Sequence, residues 1–230
     1  MENRMKKLSV ILTILMGFTS YAITDTVEDH KKSCIEGNVK GCFNLGWDYY
    51  EGDDVEIDYI TAKEYLEIAC DYEMGAGCSK LGQMYAEGKG VERNDSKARE
   101  YYGKAKEYYK KACDLNDGDG CSSLGVMYES GREGIERNYT KAREYYKKAC
   151  DLNDKIGCFY LGLMYESGKG VKRDYAKARE YFKNLDAGLY LTLGSIYESG
   201  GDGIEKNDTK AREYYKKACD LDESLCIFLN

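Results

Sequence analysis

The chain has 230 residues, with 10 Cys, 23 Tyr, 25 Gly, one His and no Pro, and a formal net charge of −7. An acidic chain without a basic block is a poor binder of nucleic acid or an anionic membrane surface. One His cannot furnish the imidazole set of a catalytic metal site, so neither a metal nor another cofactor is expected.

The chain opens Met-Glu-Asn-Arg-Met-Lys-Lys, runs apolar from Leu8 to Phe18, and continues Ser20-Tyr21-Ala22. A charged start, a short apolar run and small residues at the last positions form a secretory leader, with cleavage expected after Ala22. The apolar run is too short to span a bilayer. Residues 1–22 carry Arg4, Lys6 and Lys7 against Glu2, so residues 23–230 have a net charge of −9. All ten Cys lie in that part. An even Cys count in an exported chain reads as a disulfide framework. The expected location is secreted or periplasmic.

From residue 23 onward the chain repeats. Leu45-Gly46, Leu81-Gly82, Leu124-Gly125, Leu161-Gly162 and Leu193-Gly194 recur at spacings of 36, 43, 37 and 32. Two strings alternate around them, and both read as helices. The first places Cys158, Leu161, Gly162 and Tyr165 on one face, and the second does so for Ala142, Tyr145, Ala149 and Leu152. Gly-rich stretches end the first helix of each pair. Asn94, Asn138, Asp174 and Asn207 stand where the next helix needs a cap. Small residues at Gly46, Gly82, Gly125 and Gly162 allow close helix approach. The 43-residue spacing comes from an extra heptad within residues 101–113. Seven residues are nearly two turns, so one longer helix over about residues 95–115 is expected. The 32-residue spacing comes from a loss of four residues between Leu185 and Gly194, with Asp186 where the register expects a Cys. Residues 183–194 are therefore expected to be the least constrained joint.

Cys34/Cys42, Cys70/Cys78, Cys113/Cys121 and Cys150/Cys158 are each eight apart, and Cys219/Cys226 are seven apart. In each pair the first Cys ends one helix and the second begins the next. A tight antiparallel turn brings such positions within disulfide reach. Zinc would favour closer spacings and would recruit His. The last pair is left open, because the helix that would carry Cys226 is a stub.

The Leu-Gly-x-x-Tyr, Gly-x-Gly-Val and Lys-Ala-x-x-Tyr strings resemble Sel-one-like repeats, relatives of tetratricopeptide repeats. The Cys-Asp-Leu-Asn-Asp-x-x-Gly-Cys element looks like that of the Helicobacter cysteine-rich protein (Hcp) family. The resemblance covers essentially all of residues 23–230. It implies an all-α, right-handed solenoid of αα-hairpins with concave and convex faces. It also implies the designation that family carries, penicillin-binding protein and β-lactamase, and alternatively a role as a secreted effector of host interaction.

The residues themselves offer little for such an enzyme. A serine β-lactamase uses Ser-x-x-Lys, and no Ser here has Lys at that spacing: Ser79-Lys80, Ser96-Lys97 and Ser167-Gly168-Lys169 are off register. The single His30 falls in an N-terminal helix expected to fray. Asn94, Asn138 and Asn207 each begin Asn-x-Ser/Thr with an acid two residues before, which fits a bacterial N-glycosylation acceptor and equally a repeated helix cap.

Along the first helix of each hairpin, one stripe varies between copies while the core Leu does not. Its residues are Phe43, Asn44, Trp47 and Tyr50; then Ser79, Lys80 and Gln83. In the next two hairpins they are Ser122, Ser123 and Val126, then Phe159, Tyr160 and Leu163. Variation at one face is what a tailored binding groove shows, and also what unconstrained surface shows. Trp47, Phe159 and Tyr160 favour the groove, if they face solvent as large aromatic contacts. The expected ligand is a peptide or protein, of host or envelope origin. The family resemblance adds a β-lactam or peptidoglycan fragment.

Overall fold

The computed structural model describes residues 26–132, 134–201 and 203–229. The leader expected at residues 1–22 lies outside them. The described residues divide into two compact units, one ending at Asn138 and the other starting at Tyr139. Among them there is no strand beyond an isolated bridge between Gly201 and Ile204.

In the N-terminal unit, α1 (Val27–Ile35) packs on α2 (Val39–Glu51), and α2 pairs with α3 (Tyr59–Asp71). The next hairpin pairs α4 (Gly75–Glu87) with α5 (Asp95–Asp114), and α6 (Gly118–Ser130) packs on α5. The C-terminal unit holds α7 (Tyr139–Asp151), α8 (Lys155–Ser167), α9 (Tyr175–Tyr181), α10 (Ala187–Ser199) and α11 (Asp208–Leu221). A 3₁₀ helix, Glu223–Leu229, packs on α11. The extra heptad is absorbed as expected, and α5 is one continuous helix of 20 residues.

Local chemistry sets the ends. Asn94 and Asn207 accept the backbone N–H of Lys97 and Lys210, and Asp174 accepts those of Ala176 and Lys177. Each bond satisfies a donor that the first helical turn leaves free. Gly52, Gly88, Gly131 and Gly168 close α2, α4, α6 and α8 in the left-handed conformation. The invariant Leu45, Leu81, Leu124 and Leu161 are buried. At Gly82 an added Cβ would lie 2.9 Å from the Tyr102 ring, so the α4–α5 approach depends on its absence.

All five cysteine pairs are disulfides: Cys34–Cys42, Cys70–Cys78, Cys113–Cys121, Cys150–Cys158 and Cys219–Cys226. Their Cα–Cα separations are 4.5–4.7 Å. The first four share one turn. Gly37, Glu73, Asn116 and Asn153 have φ of 86°, 62°, 64° and 65°. In each case that residue donates to the carbonyl of the first Cys, and the next residue donates to the carbonyl of the residue just before that Cys. Asn tolerates the left-handed region better than most residues, which explains the repeated Leu-Asn-Asp. Closing a loop of this length removes about 2.5 kcal/mol of unfolded-chain entropy in the chain-entropy model. Cys219 and Cys226 also pair, because the stub folds back as the 3₁₀ helix with Leu225 and Phe228 buried.

One expectation is corrected. The N-terminal helix is tied at both ends. Thr26 and Asp29 form a capping box at its start. His30 Nδ1 lies 2.6 Å from Asp48 Oδ2 on α2, and Cys34–Cys42 holds its end. The joint at residues 183–194, expected to be the least constrained, has no disulfide and is held by side-chain hydrogen bonds. Asp186 caps α10 through the Leu189 N–H, as Asp154 caps α8. The missing residues therefore correspond to 150–153, and the counterpart of Cys158 is Tyr190. Its hydroxyl lies 2.8 Å from the carbonyls of both Phe182 and Lys183. A side-chain clamp on the end of the preceding helix occupies the place of the disulfide.

Candidate functional site

The variable stripe gathers a cluster of mixed chemistry in the N-terminal unit. One face of α2 carries Phe43, Trp47 and Tyr50, with neighbouring ring centroids 6.1 and 6.2 Å apart. Lys80 on α4 reaches across to them. Its Nζ lies 3.9 Å from the Trp47 ring centre and 4.2 Å from that of Tyr50. It donates to Gln83 Oε1 at 3.1 Å, and Gln83 Nε2 donates to Glu87 at 2.8 Å. Glu87 in turn pairs with Lys89 at 3.0 Å, and Lys89 donates to the Tyr50 hydroxyl at 3.0 Å.

Gln83 thus stands between Lys80 and the nearby carboxylate. Lys80 has no ion pair among the described residues, although it is only 5% exposed. Burial pushes its ammonium down to about 8, against the upward pull of Glu51 and Glu87. Two ring faces and one amide oxygen compensate a buried ammonium incompletely. Burial raises the Tyr50 hydroxyl as well. Lys89 is raised by its hydrogen bonds to Tyr50 and Glu87. One turn before Trp47, Asn44 is buried, and its Oδ1 has no partner among the described residues. Such an atom costs folding free energy until something donates to it.

The stripe is less open than expected. Trp47 is 6% exposed and Phe159 is fully buried, so neither is a freely solvated aromatic. Phe43, Asn44, Tyr50, Lys80 and Ser122 are buried as well, while Ser79, Gln83, Ser123, Val126, Tyr160 and Leu163 are partly exposed. Ser122 bonds its own helix at the Asp119 carbonyl. Phe159, Tyr160 and Leu163 belong to the C-terminal unit, where Phe159 packs on Phe182 and Tyr160 stacks on Tyr146. Glu87 and Lys89, which form the outer edge of the N-terminal cluster, were not anticipated. They sit at the end of α4 and in the loop after it, outside the helical periodicity that singled out the stripe.

Two cysteines that neighbour the stripe are closed to a ligand. Cys78 and Cys121 are fully buried, one residue before Ser79 and Ser122 of the stripe. Their Sγ atoms lie 3.7 Å from the carbonyls of Cys70 and Cys113 respectively, inside the turn. Spacing alone marked these two positions as paired but not as closed to solvent. The reason is packing: each begins its helix beneath the end of the preceding one, where Gly77 and Gly120 let the backbones meet. Cys78 and Cys121 are therefore core residues, out of reach of a ligand.

A second polar cluster, also unanticipated, lies in the C-terminal unit. Glu166 of α8, Tyr197 of α10 and Lys210 of α11 meet there. Among the described residues no His/Cys/Asp/Glu group could hold a metal ion, and no helix is long and apolar enough to cross a membrane.

A Sel1 repeat model matches residues 39–71, 75–107, 118–154, 156–184 and 192–223. A tetratricopeptide repeat model matches residues 97–119. No curated protein matches the chain. Among solved structures, a Sel1 repeat protein from Oxalobacter formigenes is 26% identical, with 85% of this chain and 84% of that one covered, at a TM-score of 0.50. A Sel1 repeat protein from Klebsiella pneumoniae is 21% identical, covering 88% and 97%, at 0.55. Cysteine rich protein B of Helicobacter pylori is 33% identical, covering 59% of this chain and 97% of that one, at 0.38.

Proposed function

Because the chain belongs to the Sel1 repeat family, whose stacked hairpins offer surface for partners, we propose that it is an interaction module working outside the cytoplasm. In this reading the Trp47–Tyr50–Lys80–Gln83 cluster receives a peptide or protein partner. Five disulfides, with no free cysteine among the described residues, suit an oxidising compartment. The leader-like start at residues 1–22 points the same way.

The observation that carries the reading is the arrangement around Lys80. Glu87 and Lys89 form a charged rim, and Trp47, Tyr50 and Lys80 form a nearly closed floor. Aromatic groups surrounded by polar residues are the usual composition of an energetic centre in an interface. Lys80, held apart from Glu87 by Gln83, keeps donor capacity for a partner's oxygen. Asn44 Oδ1 keeps acceptor capacity.

The test compares wild type with Trp47→Ala, each immobilised and exposed to an envelope or culture extract. Circular dichroism and thiol content establish first that both are folded and fully disulfide-bonded. A partner retained by wild type and lost from the variant is then purified and titrated against wild type, with Trp47 fluorescence as the signal. The same partners retained equally by both proteins would remove this cluster as the contact site.

A further inference from the structure

We infer that the C-terminal unit holds a separate binding site, a cavity that accepts one carboxylate of a peptide or protein partner. The cavity has a volume of about 180 Å³, below the range of drug-sized pockets and suited to a single side chain or chain end.

Its floor is the Glu166 cluster. Glu166 is 5% exposed. Its Oε1 accepts from Lys210 Nζ at 2.8 Å, and Lys210 Nζ also lies 3.3 Å from the Tyr197 hydroxyl. The floor carboxylate is therefore already compensated. Burial, and then the neighbouring Glu166, raise Tyr197 and keep its hydroxyl protonated. The ammonium of Lys210 also lies 4.6 Å from the Tyr197 ring centre and 5.2 Å from that of Tyr175.

The wall supplies the unused charge. Arg173 Nη2 donates to the carbonyls of Ser167 and Gly203, and Nη1 donates to the Tyr175 hydroxyl. These three acceptors are neutral, and Arg173 has no carboxylate partner among the described residues. A guanidinium has five donor hydrogens, so Nε–H and one Nη1–H remain. Asn207 spends its Oδ1 on the Lys210 N–H, which leaves its NH₂ as a donor. The first turn of α11 adds the positive end of a 14-residue helix. A carboxylate is the planar acceptor that such a donor set fits.

Glu205 also lines the cavity. It is exposed and makes no ion pair among the described residues. Its charge opposes an incoming anion, so the site is limited to one isolated carboxylate and should strengthen when that charge is removed.

The test uses ¹⁵N-labelled full chain and follows the Arg173 Nε–H resonance together with the Lys210 backbone amide at the cavity, the amide alone serving for Arg173→Gln. The probes are N-acetyl-Gly-Gly-Glu-Gly-Gly-amide, its Gln counterpart, and N-acetyl-pentaglycine with a free carboxylate. The expected result is a saturable shift with the Glu probe or the free-acid probe, and none with the Gln probe. Which of the two binds identifies the source as a side chain or a chain end. Glu205→Gln should tighten the binding probe several-fold, and Arg173→Gln should weaken it at least tenfold. A saturable shift with the Gln probe as large as that with the carboxylate probes, or no shift with either carboxylate probe, overturns the site. So does a Glu205→Gln protein that binds no tighter. The wild-type probe comparison stands even where Arg173→Gln loosens the loop at Gly203. It also leaves the N-terminal reading untouched, since that reading is read out at Trp47.

Discussion

Lys80→Met isolates the contribution of the buried ammonium, because Met keeps most of the stem and removes the charge. A fall from 10.5 to about 8 for Lys80 corresponds to about 3 kcal/mol favouring the neutral amine over the ammonium. Between pH 8 and 10.5 the folded chain holds fewer protons at this site than the unfolded chain. This site's contribution to stability therefore rises with pH across that window, and below pH 8 the whole penalty is present. The variant removes the penalty but also loses the ring contacts, worth about 1–2 kcal/mol, and the bond to Gln83, worth about 1 kcal/mol. At pH 7 the variant should be more stable by up to about 1 kcal/mol, as the difference of those estimates. Its advantage should shrink as pH rises and reverse by about pH 10. The assay is urea unfolding without reductant, followed by fluorescence of Trp47, the chain's single Trp, at several pH values from 7 to 10. A variant less stable than wild type by more than about 1 kcal/mol at pH 7, or a difference independent of pH, would refute the reasoning. The same variant should bind the partner less well, so the charge would be a feature kept for recognition at a cost to the fold.

Tyr190→Phe removes the one hydroxyl proton shared between two carbonyls at the α9–α10 joint and should cost about 1 kcal/mol, measured as a lower urea midpoint by circular dichroism. An unchanged midpoint would mean that packing alone holds the joint. Gly82→Ala sets a Cβ against the Tyr102 ring and should cost about 1–3 kcal/mol by overpacking, with Gly103→Ala, which meets nothing within 4 Å, as the unclashing control in the same melt that should gain up to about 1 kcal/mol from helix propensity. Titration of the unreduced, unfolded chain should find no free thiols and reduction should release ten, given five disulfides. Several thiols before reduction would contradict the framework. In the folded chain the buried Cys70–Cys78 and Cys113–Cys121 bridges should be reduced more slowly than Cys34–Cys42, read by mass spectrometry of alkylated peptides. Equal rates would mean that the turns open before the reductant attacks.

Much of the fold was legible because the repeat is its own control. Leu45, Leu81, Leu124 and Leu161 recur at one register, and all are buried. The cysteine spacing marked four turns that share one backbone geometry. The length of α5 followed from the heptad alone. The N-terminal helix was misjudged because its restraint is non-local: His30 meets Asp48 eighteen residues away. The openness of the stripe was misjudged for a related reason. A helix in a stacked array has two buried flanks, one toward its hairpin partner and one toward its neighbours. Repetition exposes the first flank, since its contacts are copied. The second varies because its contacts vary with it, as when Lys80 meets Trp47 and Tyr50 while Tyr160 meets Tyr146. Variation between copies therefore reports particular lateral contacts as readily as it reports exposure.

The exceptional joint shows why loss of a pattern is not loss of the interaction. Deletion of the counterparts of residues 150–153 takes away the first Cys of a staple together with the left-handed turn residue. A lone second Cys would have been left as a free thiol against the helix end. Tyr190 stands there instead, and its longer side chain spans to the two carbonyls of Phe182 and Lys183 that the shortened helix leaves exposed. Those carbonyls are groups that a helix end must satisfy in any case. The substitution thus meets two demands with one hydroxyl, holding the next helix and capping the last. It does so by a bond that reduction does not break. Under reducing conditions the joint between α9 and α10 keeps its clamp, while the four regular turns lose theirs and rely on packing and their left-handed residues.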